Sequence, residues 1–271
     1  ISLSSAESFA RFMARLMFRL HAPRRKTAIE NIMKCGITAN PGEAYRIARE
    51  SFEHFAVLVI ESLKSRRFID ENSWRKRIEL DIPRSSMKLL EEYGRGVILA
   101  SGHLGNWEIA AQVLSFIKPV VGITKTMKNP YTERVVNSRK PRHRFSVAPK
   151  HSNDPGRFLS ILKRGEILAL MIDQYTYKKQ IVVDFFKIPT ATLASPAMLH
   201  LVTGTPIIFT YCIRTGPMFY RIKASEPVVF TPTGNRDNDA RAITEKLNHK
   251  LEAAIRAHPE QYVWAHRRWK D

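Results

Sequence analysis

In the stretch VILASGHLGNWE (97–108) an apolar run ends in Ser-Gly-His, and a carboxylate follows the histidine by five residues. His103 and Glu108 are residue types that could move a proton. A carboxylate against one imidazole nitrogen fixes the tautomer and raises basicity, and the other nitrogen is left to take a proton. On one helix, positions five apart lie roughly 140° apart and cannot share a face. The pair can meet if a helix starts near Asn106 and His103 sits on the turn before it. Asn106 is a good N-cap, and Gly102 and Gly105 let the chain bend. No Ser lies in a GxSxG elbow and neither cysteine sits near a His in sequence, so the chemistry suggested is direct deprotonation of a substrate hydroxyl, without a covalent enzyme intermediate. Spacing alone is a weak signal and leaves a structural histidine open. A metal site is a further reading, although HxxxxE is not HExxH and no third ligand stands nearby.

The elements that must position this pair alternate. Residues 3–20, 24–34 and 41–68 read as helices from their apolar spacing, with Pro41 suited to a helix start. GVILAS (96–101) reads as a buried strand and 106–117 as a helix that ends before Pro119. Strands are expected at 119–125, 145–150, 166–173, 181–186, 205–214 and 219–230, and helices at 130–140, 154–165, 195–204 and 238–259. This alternation predicts an α/β fold, a mostly parallel mixed sheet flanked by helices, with an N-terminal helical part over 1–75 and an α/β part over 76–271. In such sheets ligands sit outside the carboxyl ends of the strands, where 102–108 falls.

Composition narrows the partners. The chain has 271 residues, 44% of them hydrophobic, enough for a real core. Cys35 and Cys212 are far apart, so neither a disulfide framework nor a zinc site is expected, and a reduced, cytoplasm-facing compartment fits. The net charge of +19 should attract polyanions: nucleic acid, anionic lipid headgroups or an acidic carrier protein. No basic, aromatic-interleaved platform supports nucleic acid. No apolar run approaches the ~20 residues that span a bilayer. Residues 3–20 instead carry Arg11, Arg15 and Arg19 as a stripe beside a broad apolar face, the pattern of a helix lying in a membrane interface. The chain begins with Ile rather than Met, so the reading is either peripheral or anchored by a segment upstream of residue 1.

The full wording SGHLGNWE resembles the HxxxxD/E motif of the lysophospholipid-type acyltransferase superfamily, in particular its lipid A biosynthesis branch, the late lauroyl and myristoyl acyltransferases. Further stretches agree in order along nearly the whole chain. They are Lys128-Asn129-Pro130 with Arg134 and Arg139, Leu162-Lys163-Arg164-Gly165, Asp173-Gln174, Asp184-Phe185-Phe186 with Thr190-Ala191-Thr192, and Gly204-Thr205-Pro206-Ile207. The last runs from Pro259-Glu260-Gln261-Tyr262 through Trp264 to His266-Arg267-Arg268-Trp269-Lys270. Asp184 stands where the family often has Pro, Lys187-Ile188 replace the usual Gly after Phe-Phe, and the 175–179 loop is unusually basic.

The resemblance implies a glycerolipid-acyltransferase-like fold and a bacterial enzyme on the cytoplasmic face of the inner membrane. It would move a fatty acyl chain from acyl carrier protein to a hydroxyl of a lipid A precursor. His103 would be the general base and Glu108 its orienting partner, with no metal or cofactor. Partners would be the carrier protein, the anionic glycolipid and the membrane surface. Other acceptors, with acyl-CoA as donor, remain as the alternative, as does a basic nucleic-acid-binding protein of another class. Residues 118–150 carry nine Lys or Arg against one acid, Glu133. Within them Asn129, Arg139, Arg142 and Arg144 are candidates for substrate binding, since arginine forks match oxyanions. Arg139 best matches an arginine that supports activity in the family. Asp173, at a strand end, is a further substrate-binding candidate.

Overall fold

The computed structural model describes residues 2–124, 144–149, 156–174 and 180–269. Three helices come first: α1 (Leu3–Leu20), α2 (Ala22–Lys34) and α3 (Pro41–Lys64). Ser2 caps α1 by accepting from the Ser5 N–H, and Asn40 caps α3 by accepting from Gly42 and Glu43, as these residue types favour. The small residues Ala10 and Ala14 and the Phe18 ring turn inward on α1, and Phe18 meets Tyr45 and Phe52 edge-on. Phe18, Ile32, Ile47 and Ala48 belong to the same buried cluster as the sheet residues Ile98, Leu168 and Ile207, so the helical part and the sheet share one core.

Seven strands follow in the order β1-β9-β8-β2-β5-β3-β4. They are β1 (Ile78–Asp81), β2 (Val97–Ser101), β3 (Val120–Thr124), β4 (Phe145–Pro149), β5 (Ile167–Met171), β8 (Ile207–Gly216) and β9 (Phe219–Ala224). Only the β8–β9 pair is antiparallel, so the expected mostly parallel mixed sheet is what forms. Among the described residues, five further helices cover it: α4 (Arg84–Glu91), α5 (Trp107–Ile117), α6 (Arg157–Lys163), α7 (Ser195–Thr203) and α8 (Arg236–Ala257). Central β2 is buried at every position, as a strand covered on both faces must be.

β1, α4 and one strand of a separate hairpin are elements that periodicity does not anticipate. The expected helix over 130–140 and the basic loop 175–179 lie outside the described residues. The strand expected over 219–230 stops at Ala224, shortly before Pro227, which lacks the N–H a ladder needs.

The hairpin joins β6 (Gln180–Phe185) to β7 (Ile188–Leu193) through Phe186 and Lys187, with φ of 57° and 59°. A two-residue turn with both residues left-handed normally uses Asn-Gly or Asp-Gly. Lys187 therefore stands in a strained backbone. Packing holds it there: Phe186 is buried against Phe185, Trp264 and Trp269, and its N–H donates to Glu252 at 2.7 Å. Because Lys187 is exposed, Lys187→Gly removes strain at no packing cost. It should stabilise the protein by about 0.5–1 kcal/mol. A thermal melt that does not rise would contradict the strained turn.

Candidate active site

Parallel pairing builds the site. β2 and β5 are neighbours with Ser101 opposite Met171, and the Ile172 N–H donates to the Ser101 carbonyl at 2.9 Å. Two residues past each strand end come His103 and Asp173, so the shared register delivers them to one place. The His103 backbone N–H donates to Asp173 Oδ2 at 2.7 Å, and its Nδ1 lies 2.8 Å from Asp173 Oδ1. The Asp173 carboxylate is almost wholly buried, at 2% side-chain exposure, whereas the imidazole keeps 20%.

Glu108 does not take the orienting position expected of it. Nδ1 is occupied by Asp173, and Trp107 stands at the start of α5 with its ring edge-on to the imidazole at 4.8 Å. Glu108 lies in the first turn of α5 and has no hydrogen bond or ion pair among the described residues. Asp173, named from the sequence as a substrate-binding candidate, instead meets His103 with both its oxygens. Arg144 has φ 52°, and its carbonyl accepts from Val120 just before β4 begins. That is the amino edge of the parallel strands, about 15 Å along a five-residue strand from the edge that carries His103. Arg144, a candidate for binding a lipid headgroup, thus stands at the opposite edge of the sheet from His103. Asn129, Arg139 and Arg142 lie outside the described residues.

The bend itself forms as its glycines suggest. Gly105 has φ 63°, and a Cβ there would lie 1.8 Å from the Cys212 carbonyl oxygen, so only glycine fits. Asn106 caps α5, its Oδ1 accepting from Ile109 at 3.1 Å and from the Ser62 hydroxyl at 3.2 Å. A Cβ on Gly102 would meet Leu251 at 2.6 Å and Asp173 Oδ2 at 3.4 Å.

The electrostatics suit a base. Burial pulls His103 down, but the charge and hydrogen bond of Asp173 outweigh it, and the imidazole ends above its ordinary value of 6.5. Burial pushes the Asp173 carboxyl up, yet the His103 charge, the two His103 hydrogen bonds and the Arg268 charge hold it below 3.8. With Nδ1–H donating to Asp173, Nε2 carries the lone pair. The amide nitrogen of exposed Gln174 lies 3.1 Å from Nε2. Among the described residues no group of three or more His, Cys, Asp or Glu is arranged to hold a metal. The arrangement can accept a proton from a hydroxyl and return it to a leaving group.

Asp173 as partner was not readable from spacing, because the pairing of 97–101 with 167–171 is a property of the sheet. The usable signal was two strands each followed, two residues on, by a titratable side chain.

A family model described as bacterial lipid A biosynthesis acyltransferase matches residues 2–271. The chain is similar to the lipid A biosynthesis palmitoleoyltransferase of Escherichia coli K12, at 24% identity over 250 residues, 91% of this chain and 79% of that protein. It is similar to the lipid A biosynthesis lauroyltransferase of the same organism, at 22% identity over 263 residues, 95% of this chain and 83% of that protein. Among solved structures it matches the 1-acyl-sn-glycerophosphate acyltransferase PlsC of Thermotoga maritima. That match has a TM-score of 0.37 and 15% identity, covering 90% of this chain and 97% of that one.

Proposed function

The chain belongs to the bacterial lipid A biosynthesis acyltransferase family, and from that premise we propose that it moves a fatty acyl chain from an acyl carrier protein thioester to a hydroxyl of a lipid A precursor, with His103 as general base. The observation that carries this reading is the buried Asp173 on Nδ1 with Nε2 turned outward. Gln174 swings aside, and the acceptor hydroxyl gives its proton to Nε2 as its oxygen attacks the thioester carbon. The tetrahedral oxyanion collapses, the C–S bond breaks, and the departing sulfur takes the proton back from His103. Asp173 holds the imidazole in the required tautomer and stabilises the cation formed in between. The helix dipole of α5 offers its positive end to the oxyanion.

The test is direct. Purified protein is given acyl carrier protein or coenzyme A thioesters and either lipid A precursors or glycerophospholipids, and the products are weighed by mass spectrometry. Ester formation on the lipid A precursor from the carrier thioester supports the reading. Transfer only to other lipids, or only from coenzyme A, replaces the acceptor or donor named here. Tight nucleic-acid binding with no transfer sinks the enzyme reading.

Membrane docking is the second part of this reading. Among the described residues no helix is long and apolar enough to cross a membrane. Yet α1 turns its small residues and Phe18 inward and its other large apolar residues outward: Phe9 is 64% exposed, Phe12 62% and Leu20 71%. Such a face marks an interaction surface. The arginine stripe contributes less than its spacing suggests, because Arg11 and Arg15 both reach Glu53, at 3.6 and 2.8 Å. Cationic charge is concentrated instead at the α1–α2 corner, on Arg19, Arg24 and Arg25, beside Leu20, while neighbouring Lys26 pairs with Glu30 at 3.7 Å. Deleting α1 would strip Ala10, Ala14 and Phe18 from the core, so point changes are the cleaner probe. Phe9→Ser with Phe12→Ser and Leu20→Ser should weaken binding to anionic phospholipid vesicles at least ~10-fold without lowering the melting temperature. Unchanged vesicle binding refutes α1 as the docking helix.

A further inference from the structure

Asp173 and Gln174 follow β5 as chain neighbours, and between them they address both nitrogens of the His103 ring. Asp173 Oδ1 lies 2.8 Å from Nδ1, and the Gln174 amide nitrogen lies 3.1 Å from Nε2. An amide nitrogen can only donate, so Nε2 must accept. An ionised carboxylate can only accept, so Nδ1 must carry the proton. The two contacts thus demand the same tautomer. Their settings differ. Asp173 is buried and tied to both the ring and the backbone N–H of His103. Gln174 is exposed, and among the described residues its side chain makes no other hydrogen bond. Burial therefore does not account for where this amide sits; its contact with the base does.

We propose that Gln174 is a catalytic residue of the acyl-transfer site: its amide, released from Nε2 by the incoming hydroxyl, donates to the thioester carbonyl oxygen as negative charge develops there. This rests on the reading of His103 as general base. The imidazole lone pair accepts one hydrogen bond, so a hydroxyl that gives its proton to Nε2 must displace the amide. The displaced amide cannot travel far, because two hydrogen bonds to His103 pin the chain at Asp173, one residue away. Its freedom is that of its own side-chain torsions. The thioester carbon has to lie within about 3–3.5 Å of the attacking oxygen. Its carbonyl oxygen then comes within a side-chain rotation of the amide that the hydroxyl replaced. Side-chain amides are among the groups that serve as oxyanion donors.

The contact acts where it speeds the reaction. As the hydroxyl oxygen bonds to the thioester carbon, the carbonyl π pair moves onto its oxygen and the hydroxyl proton moves to Nε2. The oxyanion accepts a hydrogen bond more strongly than the neutral carbonyl did, so the Gln174 N–H favours the transition state over the bound thioester. When the pair returns, the C–S bond breaks and the sulfur takes the proton from Nε2. That frees the lone pair to accept from Gln174 again. One side chain so covers the base between turnovers and stabilises charge during them.

The experiment measures the single-turnover rate at saturating carrier thioester and lipid A precursor, and KM for each, in wild type, Gln174→Ala, Gln174→Met and Gln174→Glu. Because the side chain is exposed, all three variants should melt at the wild-type temperature. The first two lack the donor and should be slower by roughly 10²–10³-fold with KM little changed, the loss expected for one oxyanion donor. Gln174→Glu keeps the length but sets a carboxylate beside the base and the oxyanion. It should be at least as slow, and the acid limb of its pH–rate profile should move up, since a nearby negative charge favours the imidazolium. Rates unchanged or raised in Gln174→Ala and Gln174→Met would make the side chain a mere cover for the base and overturn the assignment. So would a raised KM at an unchanged rate, the mark of a contact equal in ground and transition states. An acid limb that stays in place in Gln174→Glu would show that the side chain does not reach Nε2, with the same consequence. Lack of transfer by wild-type protein would instead remove the underlying reading of His103.

Discussion

His103→Ala should lower acyl transfer by about 10³-fold or more and leave the protein folded. The imidazole is 20% exposed and its backbone N–H, which also serves Asp173, survives the substitution. The stability loss should stay near 1–2 kcal/mol, the cost of one lost hydrogen bond to a buried carboxylate. Asp173→Asn is the sharper companion. It keeps shape and removes charge, and it should slow transfer by roughly 10²–10⁴-fold. Its effect on pH has a definite sign. His103 now titrates above 6.5 because Asp173 outweighs burial; without that charge, burial alone acts and pulls the imidazole below 6.5. The acid limb of activity should therefore move to lower pH in Asp173→Asn, as more of the base is neutral there. Glu108→Gln should leave the limb in place whatever it does to the maximal rate, because Glu108 does not touch the ring. A limb that moves down in Glu108→Gln and stays put in Asp173→Asn would restore Glu108 as the orienting carboxylate.

That exchange of carboxylates shows where the sequence is readable. Local features were legible: the Asn106 cap, the bend at Gly102 and Gly105, the strand over 97–101, and Gly204 closing α7 at φ 66°. Each depends on a few adjacent residues. The partner of His103 depends on which strands lie side by side and in what register, and no local pattern carries that. The β6–β7 hairpin escaped for a different reason. Its turn residues, Phe186 and Lys187, are poor turn formers, and distant Trp264, Trp269 and Glu252 hold them in place. On α1 the arginine spacing was legible, but its use was not, since Glu53 of α3 claims two of the three.

The largest stability effect is expected at Arg214 on β8. Its Nε donates to both oxygens of Glu61 of α3 at 3.1 and 3.0 Å, and its Nη2 to Glu7 of α1 at 2.9 Å. All three side chains are buried, at 13%, 0% and 9% exposure. Glu61 also accepts from the Met218 N–H at 2.8 Å and the Tyr220 hydroxyl at 2.5 Å, but Glu7 Oε1 has no hydrogen-bond partner. Arg214→Met leaves two carboxylates together in a dry site, and breaking a buried pair this way costs about 3–5 kcal/mol. For a chain of this size that is roughly 10 °C in melting temperature. The pH dependence checks the cause. Burial already raises the Glu7 carboxyl, and losing Arg214 raises it further, so the variant's folded state holds protons its unfolded state releases. A raised carboxyl gives stability at low pH that is lost as pH rises through its folded value. The deficit should therefore shrink between pH 8 and pH 5, and Glu7→Gln added to Arg214→Met should recover part of it. A loss below about 1 kcal/mol at pH 8, or one independent of pH, would mean water reaches the cluster. The consequence extends to the site. Tyr220, held by Glu61, accepts from Asn106 Nδ2 at 3.4 Å, and Asn106 caps the helix that follows His103. The same charge cluster thus fastens the outward-facing α1 to the turn that presents the base.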